Sequence, residues 1–220
     1  MDWKKQLIQN FKLYAITDLK KADPGILEKI EQAFTGGADI VQIRSKSIMD
    51  AEMLRLVQKA KQISERLQKL LFVNDRADIA LIGNADGVHV GQDDLAPAVI
   101  RDLSKKCGRA LFIGKSTHSI QQALEAQGEG VDYIGVGPIF STPTKPGRSA
   151  VGLDLIAQVK ESVSIPFVAI GGIDETNIRE VMAEGAKRVA VVRAIFSAKD
   201  VYLATKSLHE KLTQQEKVNV

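Results

Sequence analysis

The sequence of 220 residues has one cysteine, Cys107, and no long apolar run. One thiol excludes an intramolecular disulfide and any metal site built from several cysteines. The apolar runs fall far short of the roughly 20 residues that a membrane-spanning helix needs, so no membrane partner is expected. The N-terminal residues carry charges without an apolar stretch behind them, which is unlike a signal peptide. We therefore expect a cytoplasmic protein.

Neither sign of charge predominates in the chain. It has 30 Lys and Arg against 27 Asp and Glu, a formal net charge of +3, and the two signs interleave along the sequence. This balance argues against a nucleic-acid partner. A compact chain of this size buries roughly 70% of its unfolded surface, which provides a core without disulfide or metal support. We predict one catalytic domain over residues 1–220, with a frayed polar tail at 214–220.

Short segments rich in Val and Ile alternate with longer amphipathic segments. The predicted strands are 13–17, 39–44, 70–74, 87–90, 110–116, 133–137, 167–171 and 188–192. The predicted helices are 3–10, 24–36, 50–68, 75–83, 95–106, 119–128, 154–162, 174–184 and 199–213, with Asp50 and Asp174 as N-caps. Eight alternations predict an α/β fold, a single (β/α)8 or TIM barrel with an extra N-terminal helix. An open doubly wound sheet is the rival, but no predicted strand has the Pro or charge typical of an edge.

Functional residues of such a barrel collect at the C-terminal ends of its strands. The second predicted strand ends in Gln42, Arg44 and Lys46, whose alternate positions place them on one side of an extended segment. Two cations and an amide suit an anionic substrate, although a solvated loop has the same composition. Ser116 ends the fifth strand, where it could bind a ligand or cap the next helix.

Two carboxylates follow neighbouring strands. Asp75 comes after the third predicted strand and Asp94 after the fourth. Such a pair could hold one Mg²⁺ together with substrate phosphate, since magnesium favours a few carboxylates over a full protein cage. Helix capping by both residues is the alternative. His89 and His118 lie nearby, and the sequence assigns neither a role.

The segments after the last three strands are suited to anions. The loop after strand six contains Thr142, Thr144 and Lys145, whose hydroxyls and ammonium bind phosphate oxygens. Strand seven ends in Gly171 and Gly172 just before a predicted helix N-terminus. Strand eight ends in Val192 and Arg193, again at a helix start. With the residues of the earlier strands, these form two anion-binding zones, which predict two small phosphorylated substrates over one barrel mouth.

The chain closely resembles the thiamine phosphate synthase family. The matching segments run in order from Leu13 to Ile195: LYAITD, VQIRSK, FVNDRADIA, ADGVHVGQDDL, GKSTHS, DYIGVGPIFSTPTK, AIGGI and GAKRVAVVRAI. Members of that family are (β/α)8 barrels. With Mg²⁺ they join a hydroxymethylpyrimidine diphosphate to a thiazole phosphate, which gives thiamine phosphate and pyrophosphate. The resemblance implies this reaction here, with departure of pyrophosphate before attack by the thiazole nitrogen.

The resemblance also implies roles for individual residues. Those expected to bind the pyrimidine diphosphate are Gln42, Ile43, Arg44, Ser45, Lys46, Asn74, Ser116 and Lys145, with Arg44, Ser116 and Lys145 as the catalytic set. Those expected to bind the thiazole phosphate are Thr142, Pro143, Thr144, Gly172, Val192 and Arg193. Asp75 and Asp94 are the expected Mg²⁺ ligands. Many members of the family have serine where this chain has Arg193, so contact through its side chain or through backbone amides alone stays open.

Two other functions remain as alternatives. Thiazole tautomerases share the barrel and bind a similar phosphate, but they would lack the diphosphate and metal residues and rely on a histidine. A non-catalytic regulator that binds thiamine metabolites is the second, and no basic DNA-reading helix or exposed heptad supports it. The sequence leaves the oligomeric state open, a homo-oligomer included.

Overall fold

The structure, a computed structural model, describes residues 2–142 and 149–214, and its centre is a closed barrel of eight parallel strands in sequence order. β1 completes the ring by pairing with both β2 and β8. The strands are β1 Leu13–Ile16, β2 Ile40–Ile43, β3 Leu70–Asn74, β4 Gly87–Val90, β5 Phe112–Thr117, β6 Tyr133–Val136, β7 Phe167–Ile170 and β8 Val189–Val191. Most strand residues are buried on both faces, as parallel strands covered by helices should be. The predicted (β/α)8 barrel is confirmed.

Helices connect the strands and cover the barrel. Their bounds are α1 Trp3–Asn10, α2 Ile26–Thr35, α3 Asp50–Arg66, α4 Ala77–Ile82, α5 Pro97–Lys106, α6 Ile120–Gly128, α7 Asp154–Ser162, α8 Ile178–Ala183, α9 Arg193–Phe196 and α10 Val201–Gln214. In α2, Ile26, Ile30, Ala33 and Phe34 form one buried stripe with helical spacing. No helix within the described ranges has the length and apolar character to cross a membrane. The extra N-terminal helix is confirmed as α1.

Both predicted N-caps were wrong, because each carboxylate has another partner. Asp50 is the first residue of α3, after Met49 as N-cap, and it binds the Arg76 guanidinium at 2.6 and 3.2 Å. Asp174 accepts hydrogen bonds from the backbone and hydroxyl of Thr176 and so closes a turn, which delays α8 to Ile178. Of the predicted tail 214–220, residue 214 ends α10 and the rest lies outside the described residues.

The barrel interior contains a layer of aromatic rings. Phe11, Tyr14, Phe72 and Tyr133 pack with ring centroids 5.7–6.1 Å apart. Glycines on the neighbouring strands leave room for these rings: a Cβ at Gly114 would lie 2.1 Å from Tyr133 Cζ. Trp3, Leu7 and Ile8 of α1 pack under the layer and close the N-terminal end of the barrel. These side chains fill the barrel below the rings in the part of the chain that the structure describes.

A cluster of four charges attaches α1 to the barrel at this closed end. Asp86, just before β4, lies 2.6 Å from Lys61 Nζ and 2.9 Å from Lys4 Nζ, and it also accepts the Leu71 N–H at 2.9 Å. Glu65 lies 2.6 Å from both ammonium groups. Burial alone would lower the pKa of Lys4, but hydrogen bonds to Glu65 and Asp86 outweigh it and raise that pKa. The cluster keeps α1 in place.

Candidate active site

A cavity of about 320 Å³ opens at the C-terminal end of the barrel, above the aromatic layer. Its lining is polar on one side, where β2 to β5 contribute Gln42, Arg44, Asn74, His89 and Ser116. The opposite side is made by β7, β8 and their loops and is mainly apolar side chains and glycine backbone. Eight residues predicted from the sequence line the cavity: Gln42, Arg44, Asn74, Ser116, Thr142, Gly172, Val192 and Arg193.

Arg44 is the buried cation of the polar side. Its residue is 7% exposed, and its guanidinium forms an ion pair with Asp18 in the loop after β1. The backbone beneath it is held by Thr17, whose hydroxyl accepts the Arg44 N–H at 2.9 Å and donates to the Arg44 carbonyl at 3.2 Å. A buried guanidinium held in this way is suited to bidentate binding of phosphate oxygens.

Buried and half-buried polar side chains are joined by hydrogen bonds across the floor of the cavity. His89 lies with Nε2 2.9 Å from Ser116 Oγ and with Nδ1 2.8 Å from Tyr133 Oη. The hydroxyl oxygens of Tyr133 and Tyr14 are 3.0 Å apart, and Gln42 Nε2 donates to Tyr14 Oη at 2.9 Å. Burial raises the pKa of both tyrosines far above the ordinary value, so both stay protonated.

His118 also lines the cavity, on the side where β5 and β6 end. Its Nδ1 is hydrogen-bonded to the Gly137 carbonyl, and its backbone N–H donates to Gln122 Oε1 at 2.8 Å. These contacts fix the ring at the cavity wall and orient Nδ1 toward the backbone. The sequence left both His118 and His89 without a role, and the structure places both at the cavity.

Gly171 and Gly172 form the opposite wall in a conformation that other residues rarely adopt. Their φ angles are +105° and +66°, and a Cβ at Gly172 would lie 2.7 Å from Phe140 Cβ and 2.9 Å from the Ser141 carbonyl oxygen. A side chain here would therefore press on the loop after β6 before it reached a ligand. The predicted helix start next to this pair was wrong, since the turn at Asp174 separates the glycines from α8.

Three described residues from the predicted diphosphate set do not line the cavity. Ile43 is fully buried among the apolar side chains between the barrel and its helices. Ser45 donates to the Leu19 carbonyl at 2.8 Å and accepts backbone N–H groups, which shapes the loop after β2. Lys46 is exposed. Alternation along β2 directs Gln42 and Arg44 inward and Ile43 outward. The binding roles of these three stay predictions.

The two predicted metal ligands lie in loops after neighbouring strands, outside the cavity lining. Asp75 follows β3 with φ +61°, and its N–H donates to the His89 carbonyl at 2.9 Å. Asp94, after β4, accepts the Gly91 N–H at 2.7 Å. Carboxylates at adjacent strand ends are the hard oxygen donors that Mg²⁺ prefers, so this donor set fits the ion. Neither residue caps a helix: α4 and α5 have Arg76 and Ala96 at their N-caps.

Part of the predicted substrate-binding set lies outside the described residues. Pro143, Thr144 and Lys145 lie outside them, and the roles given to these residues stay predictions. Within residues 2–142 and 149–214, no group of three or more His, Cys, Asp or Glu is arranged to hold a metal. A magnesium site here would therefore rest on two carboxylates and on substrate oxygens.

Tyr14 and Tyr133 were not predicted as parts of the site, and Asp18 was not predicted as the partner of Arg44. Both tyrosines lie in strands that are apolar on both faces, so the pattern does not reveal which side faces inward. In the structure, each tyrosine lies two residues before a residue of the cavity wall, Ile16 or Gly135, but the sequence singles out neither of these. Alternation places residues at that spacing on the same side of a strand.

Comparison with known proteins shows which family the chain resembles. A family model described as thiamine monophosphate synthase matches residues 13–195. The thiamine-phosphate synthase of Chloroflexus aurantiacus is 43% identical over 203 residues, which cover 91% of this chain and 92% of that protein. A solved structure, the thiamine phosphate pyrophosphorylase from Pyrococcus furiosus, superposes with a TM-score of 0.84 and 37% identity over 94% of this chain and 98% of that one.

Some relatives are longer than this chain. The thiamine-phosphate synthase of Thermosynechococcus vestitus is 44% identical over 209 residues, which cover 95% of this chain but 58% of that protein. The chain thus spans little more than half the length of such relatives. The family match nevertheless covers every strand of the barrel. The chain belongs to the thiamine monophosphate synthase family.

Proposed function

We propose that the chain is a thiamine phosphate synthase, which joins hydroxymethylpyrimidine diphosphate to thiazole phosphate and releases pyrophosphate. The observation that carries this proposal is one cavity with two unlike walls. Arg44, Gln42 and Asn74 line one wall, and Gly172 and Val192 line the other. A reaction between two phosphorylated molecules needs both to be held in one space, in contact and in a fixed orientation.

The polar wall would take the pyrimidine diphosphate. Arg44 supplies a fixed charge near the leaving group, and Ser116 and Asn74 supply short hydrogen-bonding groups beside it. Charge grows on pyrophosphate as its bond to the pyrimidine carbon breaks, so a cation already in position stabilises the transition state more than the ground state. Lys145 would add a second cation. No nucleophile or strong base is needed for this step, because the electron-rich aminopyrimidine delocalises the resulting cation.

The glycine wall would take the thiazole phosphate. Gly171 and Gly172 expose their backbone to the cavity, and apolar Val168, Ile170 and Val192 flank them. Such a wall accepts a flat apolar ring next to a phosphate held by the backbone. The thiazole nitrogen can then attack the pyrimidine cation before water does.

Asp75 and Asp94 would hold Mg²⁺ at the edge of the polar wall. When bound, the ion would neutralise charge on the diphosphate and on departing pyrophosphate. The two carboxylates contribute by their sign and by their position at the ends of β3 and β4. Their negative charge would otherwise repel the diphosphate, so substrate binding should require the cation.

Purified chain incubated with both substrates and Mg²⁺ tests the proposal directly. Thiamine phosphate and pyrophosphate should form in equal amounts, and EDTA should abolish both. Magnesium-independent turnover would refute the metal assignment alone. Failure to form either product, with thiazole phosphate still bound, would refute the synthase activity and leave a tautomerase or a metabolite-binding regulator.

A further inference from the structure

The hydrogen bonds beneath the cavity connect five strands into one continuous chain. It runs from Gln42 to Tyr14, Tyr133, His89 and Ser116, with each successive pair of polar atoms 2.8–3.0 Å apart. We call this set the floor chain. Tyr14 and Tyr133 are no more than 1% exposed. Buried hydroxyls need partners for both the proton and the lone pairs, so the donors along the floor chain must be ordered.

Gln42 sets the direction of this order. Its Nε2 donates to Tyr14 Oη, so that oxygen already acts as an acceptor. Among the described residues, the remaining hydrogen-bond partner of Tyr14 Oη is Tyr133 Oη. The proton between the two phenol oxygens can belong to either tyrosine. If Tyr133 donated it, Tyr14 would accept two hydrogen bonds, and the Tyr14 proton would have no acceptor within the floor chain. Donation from Tyr14 to Tyr133 gives the proton of each phenol an acceptor within the floor chain.

The order of donors and acceptors extends from Tyr133 to Ser116 at the cavity. Tyr133 accepts from Tyr14 and therefore donates its proton to His89 Nδ1. A neutral imidazole that accepts at Nδ1 carries its proton on Nε2, which then donates to Ser116 Oγ. Ser116 has accepted one hydrogen bond, and its own proton is free of the floor chain. Because Ser116 lines the cavity, this proton can point into it.

We propose that the floor chain fixes Ser116 as a hydrogen-bond donor to the substrate diphosphate, with Tyr14, Tyr133 and His89 as positioning residues. This inference rests on the proposed function for the identity of the anion. An ordered hydroxyl favours a phosphate oxygen over a ligand group that must itself donate. Hydrogen bonds in such a series also polarise one another, which strengthens the last donor.

Replacement of the Gln42 amide nitrogen by oxygen should reverse the order of donors along the floor chain. In Gln42→Glu, a carboxylate replaces the donor beside Tyr14 and can only accept. Tyr14 must then donate to residue 42 and accept from Tyr133, and Tyr133 must accept from His89. The imidazole proton would move from Nε2 to Nδ1, and Ser116 would donate to His89 instead of the cavity.

Nitrogen-15 NMR of the full-length chain at neutral pH shows which ring nitrogen of His89 carries the proton. The chain has three histidines, which single His118→Gln and His209→Gln variants would assign. We expect the Nε2–H tautomer at His89 in the unaltered protein and the Nδ1–H tautomer in Gln42→Glu. The tautomer should no longer respond to Gln42→Glu when Tyr133→Phe breaks the floor chain. Tyr202→Phe, at an exposed tyrosine, is the control that should leave the response intact.

Anion binding supplies the second readout, with inorganic pyrophosphate as the probe in the presence of Mg²⁺. Ser116→Ala should weaken it about 10- to 100-fold, the value of one hydrogen bond to a charged group. Tyr133→Phe should weaken it less but measurably, and Tyr202→Phe should not. An Nδ1–H tautomer in the unaltered protein, or a tautomer change that persists in the Gln42→Glu, Tyr133→Phe double variant, would overturn the inference. These outcomes do not depend on turnover, so they separate it from failure of the proposed function.

Discussion

Replacement of Asp86 by Asn tests whether the charge cluster at the closed end of the barrel stabilises the fold. The Asp86 side chain is 3% exposed and faces Lys61, which is 6% exposed. Removal of one partner from a buried ion pair costs about 3–5 kcal/mol because the other charge stays buried. Asn keeps the volume and an acceptor for Leu71 N–H, and Lys61 keeps Glu65, so we expect the lower limit, about 3 kcal/mol. For a chain of this size, that lowers Tm by roughly 6–12 °C.

Urea unfolding followed by circular dichroism and by fluorescence measures this loss. The chain has one tryptophan, Trp3, which lies in α1 with Lys4 Nζ 5.3 Å from its ring centroid, so fluorescence reports the release of α1. Asp102→Asn is the matched control, because its ion pair with Lys106 is 62% and 72% exposed and is worth at most about 0.5 kcal/mol. A loss of less than about 1 kcal/mol in Asp86→Asn would refute the argument from burial.

Three further predictions concern the barrel interior and the site. Gly114→Ala should destabilise the fold by about 1–3 kcal/mol in urea, because the new Cβ would overlap the enclosed Tyr133 ring; equal stability would mean that the ring can shift. Asp75→Ala and Asp94→Ala should each abolish Mg²⁺-dependent product formation while circular dichroism and Tm stay near those of the unaltered chain, and normal turnover in either would exclude that residue as a ligand. Lys145→Ala should slow single-turnover product formation more than it weakens thiazole phosphate binding in calorimetry; an unchanged rate would contradict its role with the leaving group.

The strands could be predicted because burial on both faces leaves a signal that needs no tertiary information. Residues 70–73 are apolar without interruption, and the structure places a strand over Leu70–Asn74. Helix starts were less predictable, since a carboxylate next to a helix has several possible partners. Asp50 is held by Arg76, which lies 26 residues further along the chain and is not part of the local pattern. Asp174 is held by Thr176 in a local turn, and from the sequence this turn competes with helix capping.

The cavity could be predicted in outline but not in its connections. Gln42, Asn74 and Ser116 line it because each lies at an inward position near the end of its strand. The pattern could not show that Arg44 pairs with Asp18, or that Tyr14 and Tyr133 join Gln42 to His89, because these partners lie 26 to 119 residues apart in the chain. Long-range hydrogen bonds form only when the barrel closes, and they decide which atoms of the predicted residues remain available to a ligand.

The ion pair between Arg44 and Asp18 has a consequence for how substrate affinity responds to ionic strength. The guanidinium is largely buried and already faces the Asp18 carboxylate, whose side chain is 26% exposed. A diphosphate that binds here either replaces Asp18 beside Arg44 or shares the guanidinium with Asp18. Dissolved salt screens the interaction between exposed charges, and it screens a partly buried ion pair much less. Affinity for the diphosphate should therefore fall less steeply with added salt than the number of cations around the cavity suggests.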